Sequence, residues 1–270
     1  LNVLSLTIMS ELSNDLRNLF NKLNIPKNKI LLIHLKLKNI IDKLELKEIY
    51  PTINYSEISD LIIKILKEEL FAKGIVVPSF TYSFTKNGIF NKLEMKSEVG
   101  RFGEEVRVQN KLKRIFDPVF SVIDCHSILP ESKYHNIQLS AFGSGSIWEY
   151  LSEKDCYILN VNLDELISTH LHYLEFKKNV PYRFNKDFFG KVSETGIEWQ
   201  EIKYTYYVRQ ISLDTKWRRS KIEKDLLKKG DNFQSFSYKG INLKAFSTSC
   251  LNQCIGKLIE NDPYYLINNI

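Results

Sequence analysis

The segment Thr169-His170-Leu171-His172-Tyr173-Leu174-Glu175 places a Thr, a His and a Glu at three-residue intervals. On a helix opening at Ser168 or Thr169, His172 and Glu175 lie one turn apart on one face. A carboxylate in that position holds the imidazole through one ring nitrogen. The other nitrogen is then free to take a proton from a nucleophile, which makes the pair a candidate general base with its own orienter. The helix N-terminus lowers the imidazole pKa and Glu175 raises it, so a value near neutral is expected. The same spacing also serves a structural His held by a neighbouring acid. On a strand, His170 and His172 would instead share a face and could bind a metal, but no third ligand is evident.

The elements that must position this segment follow from hydrophobic periodicity. Leu12, Leu16, Leu19, Phe20 and Leu23 predict a helix over 11–23, ended by Pro26. The run 29–34 reads as a buried strand, 58–70 as an amphipathic helix, and Gly74-Ile75-Val76-Val77-Pro78 as a second buried strand. A third strand over 156–161 feeds the segment that carries His172. Further strands are expected over 208–213 and 233–246, with helices over 220–229 and 250–260. This order predicts one compact α/β domain over 1–270, with a mixed or mainly parallel sheet flanked by helices. Chemistry is then expected at the C-terminal ends of the parallel strands. The chain begins with Leu, and Met9 precedes a cleaner start, so residues 1–8 are expected to be non-native or disordered.

With 43% hydrophobic and 26% charged residues, the chain has the composition of a globular protein, and no apolar run is long enough to span a bilayer. Cys125, Cys156, Cys250 and Cys254 show no zinc spacing, and reduced, buried thiols in a cytoplasmic protein are expected. The net charge of +6 is spread along the chain without a nucleic-acid motif, which fits an anionic small ligand better than DNA.

Several motifs, in order, resemble the aminoglycoside 3-N-acetyltransferase family, acetyl-CoA-dependent enzymes with a non-GNAT architecture. The strand from Ile30 to Leu37 corresponds to the family's first strand, with His34 at its His-Ser-Ser-like end. Gly74 to Tyr82 is similar to its Gly-x-x-x-Pro-Thr-Phe-Thr stretch. Gly100, Glu104 and Arg107 follow, then Arg114, Pro118 and Ser121, the turn Phe142-Gly143-Ser144-Gly145-Ser146, the Thr169, His172, Glu175 motif, and Val180-Pro181-Tyr182-Arg183. The sequence departs from the family at Lys36, at Ile115-Phe116-Asp117, at Ile147 and at Asn160-Val161-Asn162.

The resemblance implies transfer of an acetyl group from acetyl-CoA, as co-substrate, to an amino-sugar amine, with His172, Glu175 and Thr169 as catalytic residues and no metal. Arg114, Ser121, Thr81 and His34 become candidates for holding the cofactor. For Arg114, packing a loop is an equal reading; for Ser121 and Thr81, turn capping is. The turn 144–146 reads as a plain turn more than a phosphate cradle, and Glu104 with Arg107 reads as a structural ion pair. The implied partners are acetyl-CoA and the amino-sugar acceptor, with no nucleic acid and no membrane span, and a homodimer is left open. Aminoglycosides are polycations and call for an acidic pocket. Lys36 and the run Lys111-Leu112-Lys113-Arg114 are expected near the cleft, with Glu104, Asp117 and Asp124 as the local acids. A neutral or anionic amino sugar, such as a biosynthetic one of a surface glycan, is therefore the expected acceptor. A true aminoglycoside acceptor and a non-catalytic CoA- or glycan-binding relative are the alternatives.

Overall fold

The structure is a computed structural model that describes residues 3–46, 54–130, 138–211, 215–229 and 232–268. Its main sheet holds β1 (Ile30–Leu35), β2 (Gly74–Pro78), β4 (Val122–Asp124), β6 (Tyr157–Val161), β9 (Gln234–Tyr238) and β10 (Ile241–Ser247), in the order β4-β2-β1-β6-β10-β9. The three central strands are parallel: Leu31 pairs with Ile75 of β2 and with Tyr157 of β6. β4, β10 and β9 add antiparallel edges, so the sheet is mixed. A second sheet of four strands, β3 (Ile89–Asn91), β5 (Gln138–Ser140), β7 (Arg183–Ser193) and β8 (Gln200–Arg209), runs in the order β3-β7-β8-β5.

Both faces of the main sheet are covered, which is why β1 and β2 read as continuous apolar runs. Leu31, Ile33 and Leu35 point into one core, filled by Leu12, Leu16 and Leu19 of α1 (Val3–Phe20) and by Ile58, Ile62 and Ile65 of α3 (Tyr55–Glu69). α2 (Leu37–Lys43) adds Ile40 and Ile41 to this core. Ile30 and Leu32 point into the other, filled by Leu171 and Leu174 of α7 (His170–Lys177), Ile222 of α8 (Arg219–Lys229) and Leu251 and Ile255 of α9 (Thr248–Asn261). Asn54 starts α3 earlier than its apolar stripe suggests, because its side chain accepts hydrogen bonds from the backbone N–H of Ser56 and Glu57.

The remaining helices are α4 (Phe84–Asn87), α5 (Arg101–Gln109) and α6 (Ile147–Glu153). Ser146 caps α6 by accepting from the Glu149 N–H, so the glycine-serine turn is a helix start. A Cβ at Gly103 would sit 2.6 Å from the Pro78 carbonyl oxygen. Only glycine lets α5 press this closely on the C-terminal end of β2.

Three sequence expectations are corrected. α1 runs from Val3 to Phe20, where the apolar stripe predicted a helix over 11–23. The expected strand over 233–246 is two strands, reversed at Lys239-Gly240 where both φ values are positive. The strand expected over 208–213 is the end of β8, which starts at Gln200; residues 212–214 lie outside those described. Among the described residues, no helix is long and apolar enough to cross a membrane.

Candidate active site

The Thr169–Glu175 segment is a helix, with Thr169 at the N-cap position and His170 as the first residue of α7. The strand alternative falls. His170 turns into the core and bonds Asn252 through Nε2 at 3.1 Å, while His172 turns to Glu175. Among the described residues no group of three or more His, Cys, Asp or Glu side chains could hold a metal ion.

Burial drops the His170 pKa to about 4. Between that value and 6.5 the unfolded chain binds a proton that the folded chain excludes, so stability falls as pH falls through this window. His170 alone should cost about 2 kcal/mol between pH 7 and pH 5. Urea unfolding at both pH values checks this. His170→Gln should lose about 2 kcal/mol less over the interval, and an equal loss in both proteins contradicts the assignment.

His172 Nδ1 lies 2.8 Å from Glu175 Oε2. Glu175 is fully buried. Its Oε1 accepts from the Tyr182 hydroxyl at 2.9 Å and from the Trp217 indole N–H at 2.9 Å. Arg183 Nε forms an ion pair with Oε2 at 2.7 Å. Burial works against the carboxylate, but the His172 hydrogen bond and the Arg183 charge outweigh it and hold its pKa below the usual range. An ionised carboxylate only accepts, so Nδ1 of His172 is the donor and Nε2 carries the lone pair. Nε2 has no hydrogen-bond partner among the described residues. Burial and the Arg183 charge lower the His172 pKa, against the pull of Glu175 upward. The imidazole is therefore neutral at pH 7, through burial and Arg183 more than through the helix N-terminus expected from sequence.

Two cavities meet at this imidazole. The narrow one, about 320 Å³, lies at the C-terminal ends of β1 and β2, lined by His34, Pro78, Phe80, Phe102, Ser168 and Thr169 among others. The wide one, about 970 Å³, runs along the β7–β8 hairpin. His172, Trp217 and Arg219 line both. The Trp217 ring packs against the His172 ring at 4.4 Å between centroids, so the indole holds both members of the pair. In the narrow cavity His34 Nε2 and Ser168 Oγ are buried polar atoms without a partner among the described residues. Burial drops the His34 pKa to about 4, so this imidazole is neutral and offers one donor and one acceptor.

The structure brings His34, Thr169 and His172 together at the narrow cavity, with Glu175 behind His172. It does not bring Arg114, Ser121 or Thr81 there. Arg114 is buried, and its guanidinium donates to Ser121 Oγ, Ser79 O, Lys92 O and Met95 O. The Ser121 hydroxyl donates in turn to Ser79 O, and Thr81 Oγ1 donates to Pro118 O at 2.8 Å. This cluster clamps three loops, and its polar atoms are spent on protein, not on a cofactor. Arg114→Met should therefore destabilise the fold by about 3 kcal/mol or more, by stranding buried carbonyls. It should leave the acetyl-CoA affinity of the folded fraction unchanged. Thermal melting with a titration below the melting range checks both, and a selective affinity loss in a fully stable variant contradicts this.

The expected charges are also elsewhere. Glu104 pairs with Arg107 at 2.8 Å, as the spacing suggested. Asp117 accepts from Tyr204 and two backbone N–H groups, and Asp124 caps the turn after β4. Lys36 faces Asp164, and Lys113 donates to Cys125 O. None of these lines either cavity. Trp217, Arg183 and Arg219 were missed as site residues, although Arg183 stands inside a motif the sequence offered.

No family model and no curated protein matches this chain. Solved structures do. Aminoglycoside acetyltransferase AAC(3)-Xa superposes with a TM-score of 0.69 at 14% identity, over 94% of this chain and 97% of that one. The chain has the fold of the aminoglycoside 3-N-acetyltransferases. AAC-IIIb in a binary complex with CoASH gives a TM-score of 0.68 at 13% identity, over 94% and 96% of the two chains. AAC-VIa bound to sisomicin gives 0.67 at 14%, over 94% and 97%. The mixed sheet flanked by helices is therefore the architecture expected from the motifs.

Proposed function

We propose that this protein transfers an acetyl group from acetyl-CoA to the amino group of an amino sugar. One observation carries the reading: a narrow cavity and a wide cavity meet at a neutral imidazole whose second nitrogen is held by a buried carboxylate. Two substrates can then approach one base from two sides. The narrow cavity suits an acyl-pantetheine arm, because its walls mix apolar side chains such as Val77, Phe80 and Phe102 with polar groups, of which His34 Nε2 and Ser168 Oγ offer hydrogen bonds to amide or thioester groups. The wide cavity then takes the acceptor. AAC-IIIb, of the same fold, was solved with CoASH, and AAC-VIa with sisomicin, which supports this division of labour by analogy.

In this scheme the amine nitrogen attacks the thioester carbon. The C–N bond forms and the C–S bond breaks. His172 Nε2 takes the amine proton and returns it to the departing thiolate sulfur. Glu175 stabilises the transient imidazolium through Nδ1, and Arg183 keeps Glu175 ionised. Thr169 stands at the start of the same helix, beside the transferred group. We place the acceptor among biosynthetic amino sugars of the kind built into surface glycans, since the wide cavity is basic where an aminoglycoside calls for acids. Acetyl-CoA supply fits the cytoplasmic location expected from the cysteines.

The test is acceptor-dependent thiol release from acetyl-CoA against a panel of amino sugars. Saturable release with at least one amine supports the reading. Acetyl-CoA binding without release on any of the panel contradicts it.

A further inference from the structure

The wide cavity carries a charge pattern that the transfer chemistry does not require. Among the described residues its basic lining residues are Arg183, Lys186, Arg209, Lys216 and Arg219, against one acid, Glu165. Glu165 is itself paired with Arg219 at 3.2 Å. Arg183 is spent on Glu175. Lys186 and Arg209 are exposed and have no carboxylate partner among the described residues.

Their placement is set by the hairpin. Arg183 of β7 and Arg209 of β8 are direct cross-strand partners, and Lys186 pairs with Tyr206. Lys186, three residues along β7, leaves the strand on the alternate face, and the cavity is bordered both by it and by Arg209. Phe184, Phe188, Tyr206 and Trp217 supply apolar faces around the same space, suited to a sugar ring or a base.

We propose that the wide cavity holds its acceptor by a phosphate, bound by Lys186 and Arg209, so that the acceptor is a phosphate-bearing amino sugar and not a polycation. The inference rests on the acetyltransferase reading of the site and names its acceptor class. The guanidinium fork of Arg209 suits a phosphate's paired oxygens, and Lys186 adds a point charge. The sugar amine then reaches His172 on the wall shared with the narrow cavity.

The experiment measures thiol release with four acceptors: an aminohexose 1-phosphate, a nucleotide-linked aminohexose, free glucosamine and sisomicin. A kcat/KM at least tenfold higher for either phosphate-bearing acceptor than for the other two is the expected result. The sugar phosphate leading identifies a simple phosphate, and the nucleotide-linked sugar leading identifies a diphosphate linkage. Preference for sisomicin or glucosamine overturns the inference while leaving the acetyltransferase reading intact; no release with any of the four counts against the reading itself. Direct calorimetric binding of the preferred acceptor, without acetyl-CoA, supplies a readout independent of turnover. Lys186→Ala and Arg209→Ala should each weaken that binding by about 10- to 100-fold, with unchanged melting temperature. If these variants instead raise the KM for acetyl-CoA and leave acceptor binding unaltered, the cations serve the cofactor and the proposal is wrong.

Discussion

Replacing His172 with alanine lowers acetyl transfer by about 10²–10⁴-fold, the usual contribution of a positioned general base, and leaves acetyl-CoA binding within a factor of two. The imidazole lines both cavities but contributes only part of either wall, so its loss removes a proton acceptor more than a binding surface. Its pKa, lowered by burial and by Arg183, sets the pH dependence. The reactive form is the neutral one, so kcat/KM falls as pH drops through the His172 pKa of the free enzyme, and the midpoint of that acid limb lies below 6.5. Thiol release by wild type and variant from pH 5 to pH 8, with a parallel acetyl-CoA titration, checks the result. Wild-type turnover by the variant on a true acceptor removes His172 from the mechanism.

Glu175→Ala costs about 3–5 kcal/mol of stability, the range for stranding one member of a buried ion pair. This is more than an orienting carboxylate alone would cost. Four side chains converge on Glu175: His172, Tyr182, Arg183 and Trp217. Removing it leaves the buried Arg183 charge uncompensated and the Tyr182 hydroxyl and Trp217 indole without their acceptor. Glu175→Gln keeps the shape and costs less, which allows its chemistry to be read. A glutamine no longer pulls the His172 pKa upward, so the acid limb of kcat/KM moves to lower pH. Its amide can also donate to Nδ1 and fix the tautomer in which Nε2 is protonated, so the plateau rate falls too. Denaturant unfolding of both variants and the pH–rate profile of Glu175→Gln measure these effects. An unperturbed profile at full stability contradicts the assigned roles.

The contact between His172 and Glu175 was legible because helix spacing places the two on one face regardless of the rest of the fold. The central strands were legible for a similar reason: β1, β2 and β6 are buried on both faces and must be apolar throughout. The β7–β8 hairpin was not. Most of β7 is exposed along its length, so Phe184, Lys186 and Phe188 alternate with Asn185, Asp187 and Phe189 without the polar-apolar rhythm of a half-buried strand. That hairpin forms the wall of the wide cavity, and the acceptor's half of the site stayed hidden with it. Trp217 and Arg219 come from a segment more than forty residues beyond His172, and a single sequence carries no signal of that contact. Arg114, Ser121 and Thr81 illustrate the opposite error. Their motif places them close to one another, but spacing says nothing about burial, and they are consumed by the loops they hold together. A basic cleft was expected from Lys36 and the run 111–114; a basic cavity exists, built from other residues.

The central claim is that both substrates meet at His172 and that the acetyl group passes directly between them. Initial velocities measured against acetyl-CoA at several fixed acceptor concentrations test it most directly. Direct transfer in a ternary complex predicts double-reciprocal lines that intersect, and no acetylated protein after incubation with acetyl-CoA alone. Parallel lines, together with an acetyl group recovered on a residue such as Thr169 or Ser168, would show a covalent relay and contradict the account.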